Sequence, residues 1–549
     1  MARSNRIGEH WGSRLGVVLA VSGSAIGLGN FIRFPGQAAM HGGGAFMFPY
    51  LISLLVVAIP LATAEWALGR FGGRCGAHSP MGIYYVAGRR KPICGVLGGV
   101  SLFTAFVIDM YYLVIESWCL IYALQYLGGL LKPLGLGFSV IPEVTVAGFD
   151  LGSSEAYGQA FGAITGMSGN GTLFNASCFY LLAALSFCIF VNFWLIYRGV
   201  SKGVERFCKL VAPLILLCSA IVLIRVLTLK NPTGLEGQSL LDGLGFMWNP
   251  QNAKQILLDP NVWLAATSQI FFSTSICTSA VVTYASYVHP KQDIALSSVT
   301  ATMANEFCEV CLGGLMIIPP AIMFLGASAA DKIGSSFSLG FVVLPNVFGQ
   351  MPAGQFFGFV FFALLFFTAI TSSISQLQPS VAFLKEAFRF NHKTSVLLVA
   401  LAILTGSTIV CWFTGNLTGL DTFDFWSANF SPFLCAIVQT GIIVYIWGLN
   451  ALESEINLGA AAKLPRFIGS LIKWVSLPYL VLIFLLWLWN NAPDRIQTLA
   501  GDRSAQYSTV FLSLVALFIF LTSLCAVKRW KQADSPRGTD VANEVRLPQ

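Results

Sequence analysis

The chain has 549 residues, of which 56% are hydrophobic and only 10% are charged. Because a soluble protein carries about 25% charged residues, this composition excludes a soluble globular protein. It predicts an all-α polytopic membrane protein in contact with the lipid bilayer. The formal net charge of +7 is spread over the loops between apolar stretches, and we expect no nucleic-acid partner.

Apolar stretches that are long enough to cross a hydrocarbon core of about 30 Å recur along the whole sequence. We predict twelve transmembrane helices, which are called spans 1 to 12 in chain order. Their predicted bounds are 14–40, 44–69, 96–127, 178–197, 202–229, 261–288, 294–326, 354–388, 395–414, 423–449, 470–490 and 508–527.

The basic residues indicate the orientation of the chain. Most of the 32 Lys and Arg residues lie in loops on the same side as the N-terminus, so the positive-inside rule places both termini in the cytoplasm. The N-terminus is polar and basic and leads directly into span 1, without a cleavable signal peptide. We therefore expect a multi-pass protein of the plasma (inner) membrane, and the sequence leaves open whether it forms a homodimer.

Span 1 carries a polar interruption, Ser22–Asn30, in the middle of its apolar run. Glycine is a poor helix former, and inside lipid every freed backbone group must find a partner. Ala25 follows Arg14 by eleven residues, about 16 Å at 1.5 Å per residue, which is near the membrane midplane. Gly23 and Gly27 also fit a small-xxx-small packing face. An intramembrane Arg33 on the same helix favours a binding site instead.

Span 6 is the second interrupted helix, since Ser273–Ser279 contains six hydroxyl or thiol side chains in seven residues. Two polar-centred spans at corresponding places in two five-span halves are typical of an inverted repeat. We predict a first half over residues 1–230 with an external loop at 128–176. A second half follows over 231–450 with an external segment at 331–351, then helices 11 and 12 over 451–527 and a cytoplasmic tail over 528–549.

Several motifs in the first ten spans carry a family resemblance. They are Arg14-Leu15-Gly16, Gly27 to Pro35, Gly42 to Phe46, Tyr111-Tyr112, Glu116-Ser117-Trp118, Ser201 to Phe207, Gln269 to Phe272, Thr283 to Tyr287, Asn305-Glu306, Thr371-Ser372-Ser373 and Asp424-Phe425-Trp426. With them the chain resembles the neurotransmitter:sodium symporters, in particular their bacterial, leucine-transporter-like amino-acid transporters. This resemblance implies a five-plus-five inverted repeat with broken helices 1 and 6.

The resemblance further implies two bound sodium ions and an amino acid. The substrate residues would be Ala25, Gly27, Leu28, Gly29, Ile108, Tyr112, Phe272, Ser273, Ser275, Thr278, Ser372 and Gln376. Sodium 1 would take Ala25, Asn30, Ser273 and Asn305, and sodium 2 would take Gly23, Ile26, Thr368, Thr371 and Ser372. Asn305 alone would be interpreted as forming an interhelical hydrogen bond, and Thr371 alone as a hydroxyl that packs between helices. Their joint presence favours the interpretation as sodium ligands.

The pocket residues point to a zwitterionic substrate. Family members that carry amines without a carboxylate have an Asp where this chain has Gly27, so a neutral Gly27 favours a substrate that brings its own carboxylate. That group would meet the amides of Leu28 and Gly29 at a helix N-terminus. The chain departs from the leucine transporter at Cys277–Ser279 and at Gln376. These added polar groups favour a polar, small or unusual amino acid over leucine.

The resemblance also assigns gates and an acidic site. Arg33 and Asp424 would form an outer ion pair, with Phe272 and Tyr112 as an aromatic lid, and Glu386 would belong to the inner gate. Glu309 replaces a serine that holds chloride in animal members, so it would supply that negative charge and take up a proton on the empty return. The alternative is a protonated, structural Glu309.

These observations together predict sodium-coupled symport of a neutral amino acid by alternating access, with Na⁺ as the coupling ion and no need for chloride. An amino-acid sensor or channel with the same pocket is the alternative. No phosphate loop, metal cluster or nucleophile–base set occurs in the sequence, and we expect no enzyme. The family assigns no role to Asp109 in span 3, for which we expect a protonated acid bonded to a backbone carbonyl.

Overall fold

The computed structural model describes residues 11–141, 151, 153–175, 178–230, 238–250, 253–325, 335–461, 463–465 and 467–533. These residues form helices and connecting turns, without a strand, which confirms the all-α class. Parts of the predicted external loop 128–176 and external segment 331–351, and residues 534–549 of the predicted tail, lie outside the described residues.

Ten helical stretches of the described chain are long and apolar enough to cross a membrane. They are Gly43–Arg74, Pro92–Leu134, Phe179–Tyr197, Val200–Leu227, Ile294–Phe324, Gly354–Phe388, His392–Trp412, Gly415–Asn457, Phe467–Gly501 and Arg503–Gln532. They coincide with predicted spans 2 to 5 and 7 to 12. Shorter helices include Pro80–Ala87, Ser154–Thr165, Leu240–Trp248, Ala253–Leu257 and Leu344–Gln350.

Span 1 consists of two helices, Arg14–Ala25 and Gly29–Met40, bent by 44° relative to each other, and counts as an eleventh span when they are joined. Ile26 leaves the first helix with extended dihedrals, φ −73° and ψ 95°. A side chain at Gly27 would not fit, because an added Cβ would lie 2.4 Å from Ser372 Oγ. The bend therefore depends on a close approach of backbone to span 8.

Span 6 is divided into Pro260–Thr274 and Ala280–Ala285, and neither piece has the length of a membrane-crossing helix. Between them Ser275, Cys277 and Ser279 have left-handed φ angles of 54°, 61° and 73°. Such a conformation costs on the order of 1–3 kcal/mol for a residue other than glycine. The Cys277 amide donates to Glu65 Oε1 of span 2 at 2.7 Å, so the packing of neighbouring spans holds the interruption open.

Span 3 packs most extensively against span 8, and both are buried over much of their length. A fully buried polar cluster lies between them. Asn192 of span 4 donates to Glu116 Oε1 at 2.8 Å, and the Ser373 hydroxyl donates to Glu116 Oε2 at 2.9 Å. Because each carboxylate oxygen has a partner, this buried acid stabilises the contact of spans 3, 4 and 8.

Candidate functional site

A cavity lies where the two interruptions face each other, with about 440 Å³ of empty space including its open part. It is lined by Ser24, Ala25, Gly27, Gly29, Ile108, Tyr112, Phe272, Ser275, Thr278, Ser372, Gln376, Ala428 and Pro432. All the predicted substrate residues line it except Leu28 and Ser273. Ser24, Ala428 and Pro432 were not among the predicted substrate residues, because their approach to the cavity depends on how spans 1 and 10 bend.

The carbonyl of Ser24 joins the two interruptions. It accepts hydrogen bonds from the Ser275 hydroxyl at 3.0 Å and from the Ser372 hydroxyl at 3.1 Å. These residues belong to spans 1, 6 and 8. The unwound backbone of span 1 is thus satisfied by side chains around the cavity, as lipid burial requires.

The opposite end of the span 1 interruption presents amide donors. The Leu28 amide donates to the Tyr112 hydroxyl at 3.3 Å, and the Gly27 amide donates to Asn30 Oδ1 at 2.8 Å. Leu28 does not line the cavity, but its amide is bonded to Tyr112, which does. The N-terminus of a helix carries a partial positive charge and attracts negative charge, which suits a carboxylate at this end.

Two residues predicted for sodium 1 bond to each other in the structure. Asn30 Nδ2 donates to Asn305 Oδ1 at 2.8 Å, and both side chains are fully buried. Asn30 also lies 3.3 Å from Glu309 Oε2. Ala25 lines the cavity beside them, and Ser273 is buried near the end of its helix. The structure therefore gathers hard oxygen atoms next to a carboxyl group at one side of the cavity.

The residues predicted for sodium 2 also lie together, between spans 1 and 8. The Thr371 hydroxyl donates to the Thr368 carbonyl at 2.9 Å. A Cβ at Gly23 would stand 3.5 Å from Thr371 Cβ, so the Gly23 backbone packs on this helix. The Ile26 amide still donates to the Ser22 carbonyl at 2.6 Å, but the extended dihedrals of Ile26 take its own carbonyl out of the helical pattern.

Glu309 is one of two buried carboxyl groups on span 7, where the helix widens into a π turn over Phe307–Gly314. Gln269 donates to Glu309 Oε1 at 2.7 Å. Three residues earlier, Glu306 accepts from the Tyr50 hydroxyl at 2.5 Å. Glu306 was missed as a candidate, although two glutamates three residues apart in an apolar span were a readable signal.

The outer gate differs from the prediction. In the part of the chain that the structure describes, Arg33 and Asp424 form no direct ion pair. Asn429 bridges them: Arg33 Nη2 donates to Asn429 Oδ1 at 2.8 Å, and Asn429 Nδ2 donates to Asp424 Oδ2 at 2.8 Å. A π turn, Phe425–Phe430, brings Asn429 back over Asp424, five residues earlier. The predicted direct ion pair is thus replaced by a bridged one.

Aromatic residues complete this gate. The Arg33 guanidinium lies 4.4 Å from the ring centroid of Phe272, close enough for a cation–π contact. Tyr111 donates to Asp424 Oδ1 at 2.8 Å. Phe272 thus lies between the cavity, which it lines, and the charged residue above it.

Replacing Asn429 with Ala should disconnect Arg33 from Asp424. Charge-assisted hydrogen bonds contribute about 1.5–3 kcal/mol, so we expect uptake to fall about tenfold or more, while substrate affinity changes less than threefold. Initial uptake rates and equilibrium binding measure the two effects. The exposed Asn450 of the same helical stretch supplies the control Asn450→Ala, and an equal loss of binding and uptake would make Asn429 a ligand instead of a gate residue.

On the cytoplasmic side Glu386 is bound to backbone. Its Oε2 accepts from the amides of His78 and Ser79 at 3.0 and 2.8 Å, just before the helix Pro80–Ala87. A carboxylate at a helix N-terminus is a stabilising cap. Its role in the inner gate remains a prediction.

Asp109 is fully buried in span 3, and none of the described residues makes a hydrogen bond to either carboxyl oxygen. The expected bond to a backbone carbonyl is therefore not formed. A buried polar group without a partner destabilises the fold by about 1–3 kcal/mol. Asp109 shares a helix face with Glu116, seven residues away, but lacks the amide and hydroxyl partners that Glu116 has.

Asp109→Ala should therefore stabilise the protein. Removing the unpartnered carboxyl group outweighs the small cavity it leaves, and we expect the detergent-solubilised protein to melt a few degrees higher with uptake unchanged within twofold. Asp109→Asn, which keeps the size and the polarity, should gain less. A lower Tm for Asp109→Ala would contradict this account.

The model of the sodium:neurotransmitter symporter family matches residues 8–132 and 178–532. The chain belongs to this family. The match includes both interrupted spans and all the residues that line the cavity.

Relatives of this symporter chain are transporters. An uncharacterized sodium-dependent transporter of Methanocaldococcus jannaschii is 29% identical over 526 residues, covering 95% of this chain and 97% of the relative. The sodium-dependent neutral amino acid transporter B(0)AT3 of Rattus norvegicus is 25% identical, covering 81% and 79%. The crystal structure of MhsT in complex with L-phenylalanine superposes with a TM-score of 0.71 at 27% identity, covering 87% of this chain and 99% of MhsT.

Family membership confirms several predictions. The symporter is a multi-pass membrane transporter and not an enzyme. Its family consists of sodium symporters, which implies the use of sodium, and it has amino-acid transporters among its relatives. The substrate and the individual ion ligands remain proposals.

Proposed function

We propose that the chain is a sodium-coupled symporter of a neutral amino acid in the plasma membrane. It works by alternating access, through twelve spans in two inverted halves with cytoplasmic termini. The observation that carries this proposal is the meeting of the two interruptions at the Ser24 carbonyl, which Ser275 and Ser372 approach from spans 6 and 8.

The cavity suits a zwitterion because its ends differ in polarity. Amide donors of the outer half of span 1, beside the Tyr112 hydroxyl, favour a carboxylate. Carbonyl and hydroxyl oxygens around Ser24 favour an ammonium group. Gly27 carries no acidic side chain, so a negative charge at this end of the cavity has to come from the carboxylate of the substrate.

We assign sodium 1 to the oxygens of Ala25, Asn30, Ser273 and Asn305, and sodium 2 to those of Gly23, Ile26, Thr368, Thr371 and Ser372. Each ion that moves inward contributes about 2.3 kcal/mol at about 100 mV and about 1.4 kcal/mol for a tenfold gradient. Two ions therefore support accumulation of up to about 10⁵-fold.

Uptake into proteoliposomes tests the proposal. Purified protein should accumulate a neutral amino acid against its concentration gradient when the external sodium concentration is high and the interior of the vesicle is electrically negative. Accumulation should stop when the sodium gradient is dissipated. A channel or a sensor with the same cavity would give, at most, equilibration. Absence of sodium-driven accumulation for all neutral amino acids would refute the proposal.

A further inference from the structure

Gln376 of span 8 lines the cavity, and only 6% of its surface is exposed. Its Nε2 donates to Thr278 Oγ1 at 3.1 Å. The Thr278 hydroxyl in turn donates to the Ser275 carbonyl at 2.8 Å. The three residues form one directed chain of hydrogen bonds across spans 8 and 6.

The direction of this chain fixes the orientation of the amide. A threonine hydroxyl has a single proton, and that proton is directed to the Ser275 carbonyl. Thr278 can therefore only accept from Gln376, which requires the NH₂ group on that side. The carbonyl oxygen Oε1 is left on the other side, and no donor among the described residues reaches it.

No residue that lines the cavity donates to Oε1 in this structure. Among the hydroxyls of the lining, Ser24 pairs with Ser375 at 2.6 Å and Tyr112 accepts from the Leu28 amide. Ile108, Phe272, Ala428 and Pro432 have apolar side chains. The hydroxyl protons of Ser275 and Ser372 are both directed to the Ser24 carbonyl. A buried acceptor that stays unpaired weakens binding of any ligand that covers it.

We propose that Gln376 selects a neutral amino acid whose side chain carries a hydrogen-bond donor, a hydroxyl or a carboxamide N–H. Serine, threonine, asparagine and glutamine belong to this class. Alanine, valine and leucine have similar shapes but leave Oε1 unpaired, and a site built to bond a polar group rejects such analogues strongly. This inference rests on the proposed function, whose substrate class it narrows.

Isosteric pairs test the inference. Uptake driven by a sodium gradient is measured in proteoliposomes that contain the full-length protein. Threonine is compared with valine, and asparagine is compared with leucine. We expect the wild type to prefer the donor-bearing member of each pair at least tenfold in kcat/KM. Gln376→Met keeps the length of the side chain without the acceptor and should bring each ratio within threefold of one. Gln355→Met, on the same helix outside the cavity, should leave the ratios unchanged.

Equal or greater uptake of valine and leucine by the wild type would overturn the inference, and so would unchanged ratios in Gln376→Met. A preference for glutamate would mean that the amide presents Nε2, which also overturns it. Thermal stabilisation by threonine against valine in sodium separates the two proposals. Preferential stabilisation without accumulation rejects symport but supports the selectivity, and accumulation without a preference for the donor-bearing member rejects the selectivity but supports symport.

Discussion

Sodium dependence should change sharply when either predicted ion site loses an oxygen. We expect Asn305→Ala and Thr371→Val each to raise the half-saturating sodium concentration for uptake about tenfold or more. Asn305 Oδ1 bonds to Asn30 Nδ2 at 2.8 Å, and the Thr371 hydroxyl bonds to the Thr368 carbonyl at 2.9 Å. Each substitution removes an oxygen from a different side of the cavity, without placing a larger group in the core.

The control for Thr371→Val is Thr408→Val on span 9. The Thr408 hydroxyl donates to the Leu404 carbonyl at 2.8 Å within its own helix but is exposed, so this change removes the same kind of bond away from the ions. Thr371→Ser keeps the oxygen and should restore most of the sodium affinity. Sodium titrations that match the wild type in both Asn305→Ala and Thr371→Val would contradict the assignment.

Much of the cavity was predictable because its residues interrupt apolar helices. Glycine at 27 and the hydroxyl run at 273–279 are costly inside a membrane unless they line a polar space, and the structure brings both stretches to one cavity. The same reasoning covers Gln376, a polar residue in the apolar span 8. For these positions, local composition and helix position were sufficient.

Other features depend on tertiary packing and left no local signal. The left-handed residues Ser275, Cys277 and Ser279 are not glycines, so their dihedrals were not readable from the residue types. Glu65 bonds to the Cys277 amide only because span 2 packs there. Asn429 enters the gate through a π turn, and a separation of five residues does not fall on one face of a regular α-helix.

Chloride should become necessary when Glu309 is replaced by Ser. Glu309 is fully buried, and Gln269 Nε2 lies 2.7 Å from its Oε1. The side-chain Nδ2 atoms of Asn30 and Asn305 lie 3.3 and 3.4 Å from its Oε2. It therefore contacts two of the residues assigned to sodium 1. A unit charge at about 4 Å from a sodium ion stabilises it by about 4 kcal/mol at an effective dielectric constant of about 20.

The neighbouring Glu306 provides the matched control. It is also buried and also accepts from Asn305 Nδ2, at 3.3 Å, but its other partner is Tyr50, whereas Glu309 accepts from Gln269. We expect wild-type uptake to be indifferent to chloride. Glu309→Ser should lose uptake about 100-fold in gluconate and regain it in chloride, whereas Glu306→Gln should not respond to chloride in this way. The smaller serine leaves space beside Gln269 for an anion that replaces the missing carboxylate.

The same substitution should remove the coupling to protons. After sodium leaves, a carboxylate at Glu309 has no cation to balance it in a buried site, and binding a proton neutralises it. An acidic interior should therefore accelerate the return step and the uptake by the wild type, but not the uptake by Glu309→Ser in chloride, because chloride can leave with the substrate. Initial rates at internal pH 5.5 and 7.5 with constant external pH measure this difference. Wild-type uptake that already requires chloride, or a serine variant that ignores it, would exclude Glu309 from this role.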